Sequence, residues 1–221
     1  MSAAGTGEGT VNLAVIGATG RTGRLVVDQA LARGHHVMAV ARRPEDMTRR
    51  DERLSVAAAD VLDRARVAEL LAGSEAVVST LGIGSSRAAT VLYSHGIANV
   101  LHGMRTHGIR RLSVVSAAPV GPRAGQPFLE RRIAMPLLER VFGTTYEDMR
   151  RMEALLRDSE TEWVALRPPR LLDKPATGHY RVDANRPLPR ARSLTYADLA
   201  AALLDSLDRA DLQRRAAFIA N

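Results

Sequence analysis

The chain has 221 residues, 46% of them apolar and 25% charged, and it contains no cysteine. These values fit an ordinary globular protein with room for one α/β domain and a substantial core, but not for two full domains. They exclude a disulfide framework, thiolate chemistry and a cysteine-bound zinc site. The formal net charge is +7 with an isoelectric point near 10.8, and almost all of it is arginine, since Lys174 is the only lysine. The arginine pairs are scattered (Arg42-Arg43, Arg110-Arg111, Arg214-Arg215) and not gathered on one element with a nucleic-acid motif, so no nucleic-acid partner is expected. The excess positive charge favours anionic ligands.

Met1 to Thr10 is small and polar, with neither the basic start nor the apolar stretch of a signal peptide, and reads as a disordered head. No apolar run approaches a membrane span. The expectation is a cytoplasmic protein with no membrane partner, and a single domain over residues 11–221.

The first strand is the apolar run Val11 to Ile16. It leads into Gly17-Ala18-Thr19-Gly20-Arg21-Thr22-Gly23, and the residues from Arg24 to Arg33 then carry helical periodicity up to Gly34. A glycine pattern becomes a phosphate-binding proposal in this strand–loop–helix context. Gly17 permits the turn out of the strand, Gly20 lets the backbone approach a pyrophosphate, and Gly23 lets the helix pack close to the sheet. The free N–H groups of the helix's first turn then face the anion.

The spacing is GxxGxxG and not the GxGxxG of the commoner dinucleotide fingerprint. Gly-Ala-Thr-Gly-x-Thr-Gly near the start of a chain resembles the atypical short-chain dehydrogenase/reductases, the group that includes NmrA-like proteins and the flavin/biliverdin-IXβ reductases. The resemblance implies a Rossmann-like, doubly wound α/β fold, with a mostly parallel sheet covered by helices on both faces. It also implies a bound nicotinamide dinucleotide.

The second strand, His35 to Ala41, ends at Arg42-Arg43-Pro44. In a dinucleotide fold this strand end faces the adenosine ribose, where an arginine suits a 2′-phosphate. Arg42 lies nineteen residues after Gly23, so NADPH is expected over NADH, with Arg43 beside it. A third strand, Leu54 to Ala59, ends at Asp60-Val61, placing an acceptor for the adenine amino group and an apolar face for the ring. Asp63 is the better cap for the helix from Asp63 to Leu71. The fourth strand, Glu75 to Thr80, enters Leu81-Gly82-Ile83-Gly84, where Thr80, Leu81 and Gly82 are expected beside the second ribose. A helix over about 88–107 and a fifth strand, Arg111 to Ser116, follow.

After Ser116 the pattern changes. Residues 117–126 are rich in proline and glycine, and 127–142 alternate apolar and basic residues around Pro136, which is expected to break a helix there. This stretch, about 117–145, reads as a substrate lid, a dimer face or a covering helix. Tyr146 to Asp158 is helical, with Met149, Met152 and Leu156 on one buried face. Glu162 to Arg167 is the sixth strand, closed by Pro168-Pro169. Residues 168–192 form a second substrate-side insertion, with 171–182 read as loop. A helix from Tyr196 to Leu207, opened by Thr195, and a last strand over Ala216 to Ala220 complete the chain.

The resemblance extends through Arg42, Asp60-Val61, Leu81-Gly82, Ser116, the tract Tyr146 to Glu153, Trp163, and Arg167-Pro168-Pro169-Arg170-Leu171. Pro168 and Arg170 are also expected among the cofactor-binding residues, with Arg170 alternatively holding an anionic or carbonyl-bearing substrate. The chain departs from two patterns. The Tyr-x-x-x-Lys pair of the larger family is absent, and Tyr146 with Arg150 has only the spacing. Where the biliverdin-IXβ reductases carry a serine near the nicotinamide, this chain has Ala117, with Ser116 one place before. Ser116 and Tyr146 are the two catalytic candidates. The six histidines show no metal-ligand spacing, so no metal site is expected. Three functions remain open: hydride transfer from NADPH to a small-molecule acceptor such as a flavin or quinone, reduction of a carbonyl or enone with Tyr146 as acid, and a non-catalytic NmrA-like redox sensor. A monomer or a homodimer fits each.

Overall fold

Strand β1 (Asn12–Ile16) alternates its side chains between two apolar layers, and this alternation organises the domain. Leu13 and Val15 belong to one buried cluster, Ala14 and Ile16 to the other. A strand buried on both faces is the mark of a parallel sheet between helical layers. The structure, a computed structural model, describes residues 9–83, 90–122 and 135–221. Of the polar head, only Gly9 and Thr10 lie among them.

After β1 come α1 (Arg21–Ala32), β2 (His36–Ala41), β3 (Leu54–Ala58), α2 (Arg64–Leu70), β4 (Ala76–Ser79), α3 (Leu92–Thr106) and β5 (Arg111–Val115). Then follow α4 (Met135–Asp158), β6 (Glu162–Arg167), β7 (Arg170–Leu172), β8 (Arg181–Asp183), β9 (Ser193–Thr195), α5 (Tyr196–Asp205) and β10 (Arg215–Ala220). The main sheet has the order β3-β2-β1-β4-β5-β6-β10-β8. Every pairing in it is parallel except that of β8 with β10. A two-stranded parallel ribbon, β7-β9, stands apart. The order 3-2-1-4-5-6 is that of the doubly wound dinucleotide fold, and its direction reverses between β1 and β4.

On one face α1 and α5 bury Val26, Val27, Leu31, Leu199 and Leu203 against the sheet. On the other, α2, α3 and α4 bury Val67, Ile97, Val100, Met104, Met152 and Leu156, with Trp163 of β6 at the centre. Glycines set the helix spacing: a Cβ on Gly103 of α3 would stand 2.9 Å from the Ala68 Cα of α2.

The structure corrects several boundaries. Pro136 does not break a helix: it is the second residue of α4, a 24-residue helix. There a proline is tolerated because its missing N–H has no intrahelical partner to lose. The segment read as a loop over 171–182 begins and ends in strands, β7 and β8. Each is three residues long and is defined by its partner more than by its own sequence. The final helix stops at Asp205 and passes into a 3-10 turn at Ser206–Asp208. Asp63 caps α2, accepting from Arg66 N–H at 3.1 Å. Thr195 caps α5, accepting from Asp198 N–H at 2.9 Å.

Candidate dinucleotide site

The carboxyl ends of β1, β2, β4 and β5 open into one cleft of about 970 Å³, at the large end of the range for ligand pockets. It straddles the β1–β4 reversal, where ligands bind in open α/β sheets. A second cavity, about 220 Å³, lies at the opposite edge beside Val11, His35 and Glu75, away from the glycine loop.

The glycine loop forms the cleft floor. Gly17 adopts φ +80°, a left-handed conformation that glycine takes without strain. Gly17 and Ala18 N–H both donate to Val40 O of β2, at 2.9 and 3.1 Å. Thr80 closes the turn from β4, its hydroxyl shared between Ile16 O and Gly17 O at 3.0 and 3.1 Å. Thr80 therefore reaches the cleft wall as the support of the loop. A Cβ on Gly23 would lie 2.3 Å from Gly17 O, so α1 begins as close to the turn as backbone atoms permit. Thr19, Gly20, Arg21 and Thr22 line the cleft, whereas Ala18 and Gly23 lie beneath it. The first N–H of α1 to reach a carbonyl is that of Arg24, bonded to Gly20 O at 2.9 Å. The preceding amides and the dipole of α1 are available to an anion.

At the end of β2, Arg42 and Arg43 both line the cleft. Arg43 pairs with Asp46 at 3.3 Å, with its side chain 74% exposed. Arg42 has no hydrogen-bond or ion-pair partner among the described residues. Val61 lines the wall beyond, and its carbonyl is held by Asn99 Nδ2 at 2.9 Å. Asp60 stands just outside the lining: its Oδ1 accepts from Leu62 N–H at 3.0 Å in a local turn.

The second half of the cleft is walled by Leu81, Gly82, Ile83, Tyr93, Met149 and Pro168. Of the segments expected here, Gly84 and residues 123–134 lie outside the described residues. Ser116 reaches the cleft from the end of β5, buried, with its hydroxyl donated to Glu153 Oε1 at 2.7 Å. Tyr146 is not among the lining residues; it packs beside Phe142, ring centres 6.1 Å apart. Burial raises its pKa, the opposite of what a tyrosine acid activated by a neighbouring cation requires. Arg170 is exposed at the start of β7, also outside the lining.

Three residues that sequence reasoning did not single out line or support the cleft. Tyr93 lines the wall, its hydroxyl accepting from Ile83 N–H at 3.4 Å, and burial raises its pKa so that it holds its proton. Asp148 of α4, fully buried, accepts from Tyr93 N–H at 2.9 Å and from the Ser94 hydroxyl, capping α3 from another helix. Tyr196 lines the cleft under Arg21, whose guanidinium carbon is 5.7 Å from the ring centre. These contacts join residues distant in sequence, so no local pattern announces them.

The chemistry of the donor set fits a dinucleotide phosphate. The cleft offers the free amides of a helix N-terminus, a guanidinium, that of Arg42, without a partner among the described residues, and apolar lining residues on both sides of the β1–β4 reversal. A family profile described as NAD(P)H-binding matches residues 17–210. The chain is 34% identical over 112 residues to cinnamoyl-CoA reductase 1 of Oryza sativa subsp. japonica, covering 47% of this chain and 33% of the relative. It is 28% identical over 178 residues to an uncharacterised chloroplastic protein of Arabidopsis thaliana, covering 77% of this chain and 62% of that one. It therefore spans less than two thirds of the length of each of these two relatives. Among solved structures, a short-chain dehydrogenase/reductase of Veillonella parvula in complex with NADP superposes with a TM-score of 0.77 at 17% identity, over 96% of this chain and 94% of that one.

Proposed function

The chain belongs to the NAD(P)H-binding family, and from this premise we propose that it is a cytoplasmic NADPH-dependent oxidoreductase acting on a small planar acceptor such as a flavin or quinone. The bound cofactor supplies a hydride; the chain supplies binding, orientation and exclusion of water. The α1 N-terminus and the glycine loop hold the pyrophosphate. Arg42 receives the 2′-phosphate, and its planar fork can hold it bidentately. Val61 packs on the adenine side, and Asp60 accepts from the adenine amino group at the edge.

The observation that carries the acceptor class is the composition of the cleft's second half. Leu81, Ile83, Met149 and Pro168 line it beside the Tyr93 and Ser116 hydroxyls, and no tyrosine–lysine acid pair stands there among the described residues. Flavins and quinones tolerate this, because they can take their proton from water. A simple carbonyl needs a positioned acid; Tyr146 lies outside the lining, and Tyr93, which is in it, has its pKa raised by burial, with no cation among the described residues lowering it. The NADP complex of the fold relative and the reductase named among the curated relatives support the nicotinamide-dependent oxidoreductase part of the reading, not the choice of acceptor.

The test is loss of NADPH absorbance with purified protein across flavins, quinones and small carbonyls. Consumption with flavin or quinone is expected. Consumption with carbonyls alone would replace the acceptor class. Retained binding with no consumption would contradict the enzyme and favour a dinucleotide-binding sensor.

A further inference from the structure

A buried ion pair stands behind the second half of the cleft. Glu153 of α4 is 2% exposed and Arg167, the last residue of β6, is 8% exposed. Arg167 grips the carboxylate in a fork: Nε donates to Oε1 at 2.9 Å and Nη2 to Oε2 at 2.5 Å. Ser116 Oγ donates to the same Oε1 at 2.7 Å. Arg157 adds charge from outside, 3.8 Å from Oε2. The guanidinium is fixed in turn, its carbon 5.4 Å from the centre of the Phe218 ring. Gly121 is pressed against it: a Cβ there would lie 2.9 Å from Arg167 Nη1.

Stability alone does not call for this arrangement. Removing two charges from water costs several kcal/mol per ion, and apolar replacements of such pairs are often neutral or stabilising. The strands it bridges are already joined along their length, from Arg111–Glu162 to Val115–Leu166, and Ser116 N–H is bonded to Leu166 O at 2.7 Å. What the pair adds is control over one hydrogen atom. A carboxylate held against a guanidinium offers only lone pairs, and a hydroxyl has a single hydrogen to donate. With that hydrogen turned inward to Glu153, Ser116 Oγ can only accept from the cleft.

We propose that Glu153 and Arg167 are positioning residues that hold the Ser116 hydroxyl hydrogen away from the cleft, so that Ser116 selects a hydrogen-bond donor on the ligand, the carboxamide –NH₂ of the nicotinamide. The inference rests on the dinucleotide reading above. In the doubly wound fold the β4–β5–β6 half takes the second mononucleotide, and Ser116 directly follows the central strand of that half. An acceptor-only serine fixes which way round the carboxamide sits, and therefore how the ring is presented to the acceptor.

The test compares binding of NADPH with that of its 3-acetylpyridine analogue, in which a methyl group replaces the –NH₂. Calorimetric titration reads affinity without turnover. The wild-type protein is expected to bind NADPH about three- to tenfold more tightly than the analogue, the value of one neutral hydrogen bond. In Ser116→Ala the ratio falls to near one. In Glu153→Leu/Arg167→Met, which removes the inward acceptor and leaves no unpaired buried charge, the serine hydrogen is free to turn to either ligand's carbonyl, and the ratio also falls to near one with both ligands still bound. A purely structural pair would not move this ratio. A wild-type ratio near one, or one that survives Ser116→Ala, overturns the proposal alone. Failure of the wild-type protein to bind either ligand overturns the dinucleotide reading, and this proposal with it.

Discussion

At the scale of single residues, the site depends on atoms that a side chain would displace. Gly23 is the clearest case, since a Cβ would meet Gly17 O at 2.3 Å and Ala18 Cα at 2.8 Å. Backbone cannot rotate away as a flexible side chain can, so the loop or the start of α1 must shift. Gly23→Ala is expected to destabilise the fold by about 1–3 kcal/mol and to weaken NADPH binding at least tenfold, read by thermal unfolding and by titration. A variant of unchanged stability and affinity would refute this account of the loop. The glycine loop was legible from the sequence because its constraint is local: seven consecutive residues carry both the turn and the close approach. Glu153 and Arg167 were not, because alone a glutamate on a helix and an arginine at a strand end read as solvated charges. Only the packing of α4 over β6 removes them from water.

At the scale of elements, the short strands and the caps show where tertiary context decides. The loop after β7 is tied to α5 by one carboxylate. Asp198 accepts from the Thr195 hydroxyl at 2.8 Å, from the Thr177 hydroxyl at 2.8 Å, from Gly178 N–H at 3.0 Å and from Asn221 Nδ2 at 2.8 Å. Burial works to raise its pKa, but these hydrogen bonds outweigh it and hold the carboxyl at about 2, against an ordinary value of 3.8. A depressed carboxyl pKa contributes stability above its unfolded value, and that contribution is lost as pH falls through the folded one. Between pH 5 and pH 2 the wild-type protein should therefore lose about 1–2 kcal/mol more stability than Asp198→Asn, measured by urea unfolding at each pH. Equal losses would show that Asp198 titrates as an ordinary surface acid. Thr195 as the cap of α5 was readable from its position before an apolar periodic run. Asp148 as the cap of α3 was not, since it belongs to α4, and the α3 N-cap, Val91, offers no side-chain acceptor of its own. Pro136 misled for a related reason: a proline amid alternating apolar and basic residues looks like a break until it is seen as the second residue of α4.

At the scale of the whole molecule, the sheet order places the glycine loop, the arginine pair and Ser116 on one edge, on both sides of the β1–β4 reversal. The glycine loop between an apolar strand and a helix, and the family resemblance it carries, made this topology readable before any contact was known. The two-stranded ribbon and the antiparallel edge strand β8 lie beyond that reach, because strands of three residues exist only through their partners. The central claim is that this edge binds NADPH, with Arg42 recognising its 2′-phosphate. Calorimetric titration of NADPH and NADH into the wild-type protein and into Arg42→Ala tests it most directly. The account predicts tighter binding of NADPH than of NADH by the wild-type protein, a loss of about ten- to hundredfold in NADPH affinity in the variant, and NADH affinity unchanged. Equal affinities for the two cofactors, unaltered by the substitution, would contradict it.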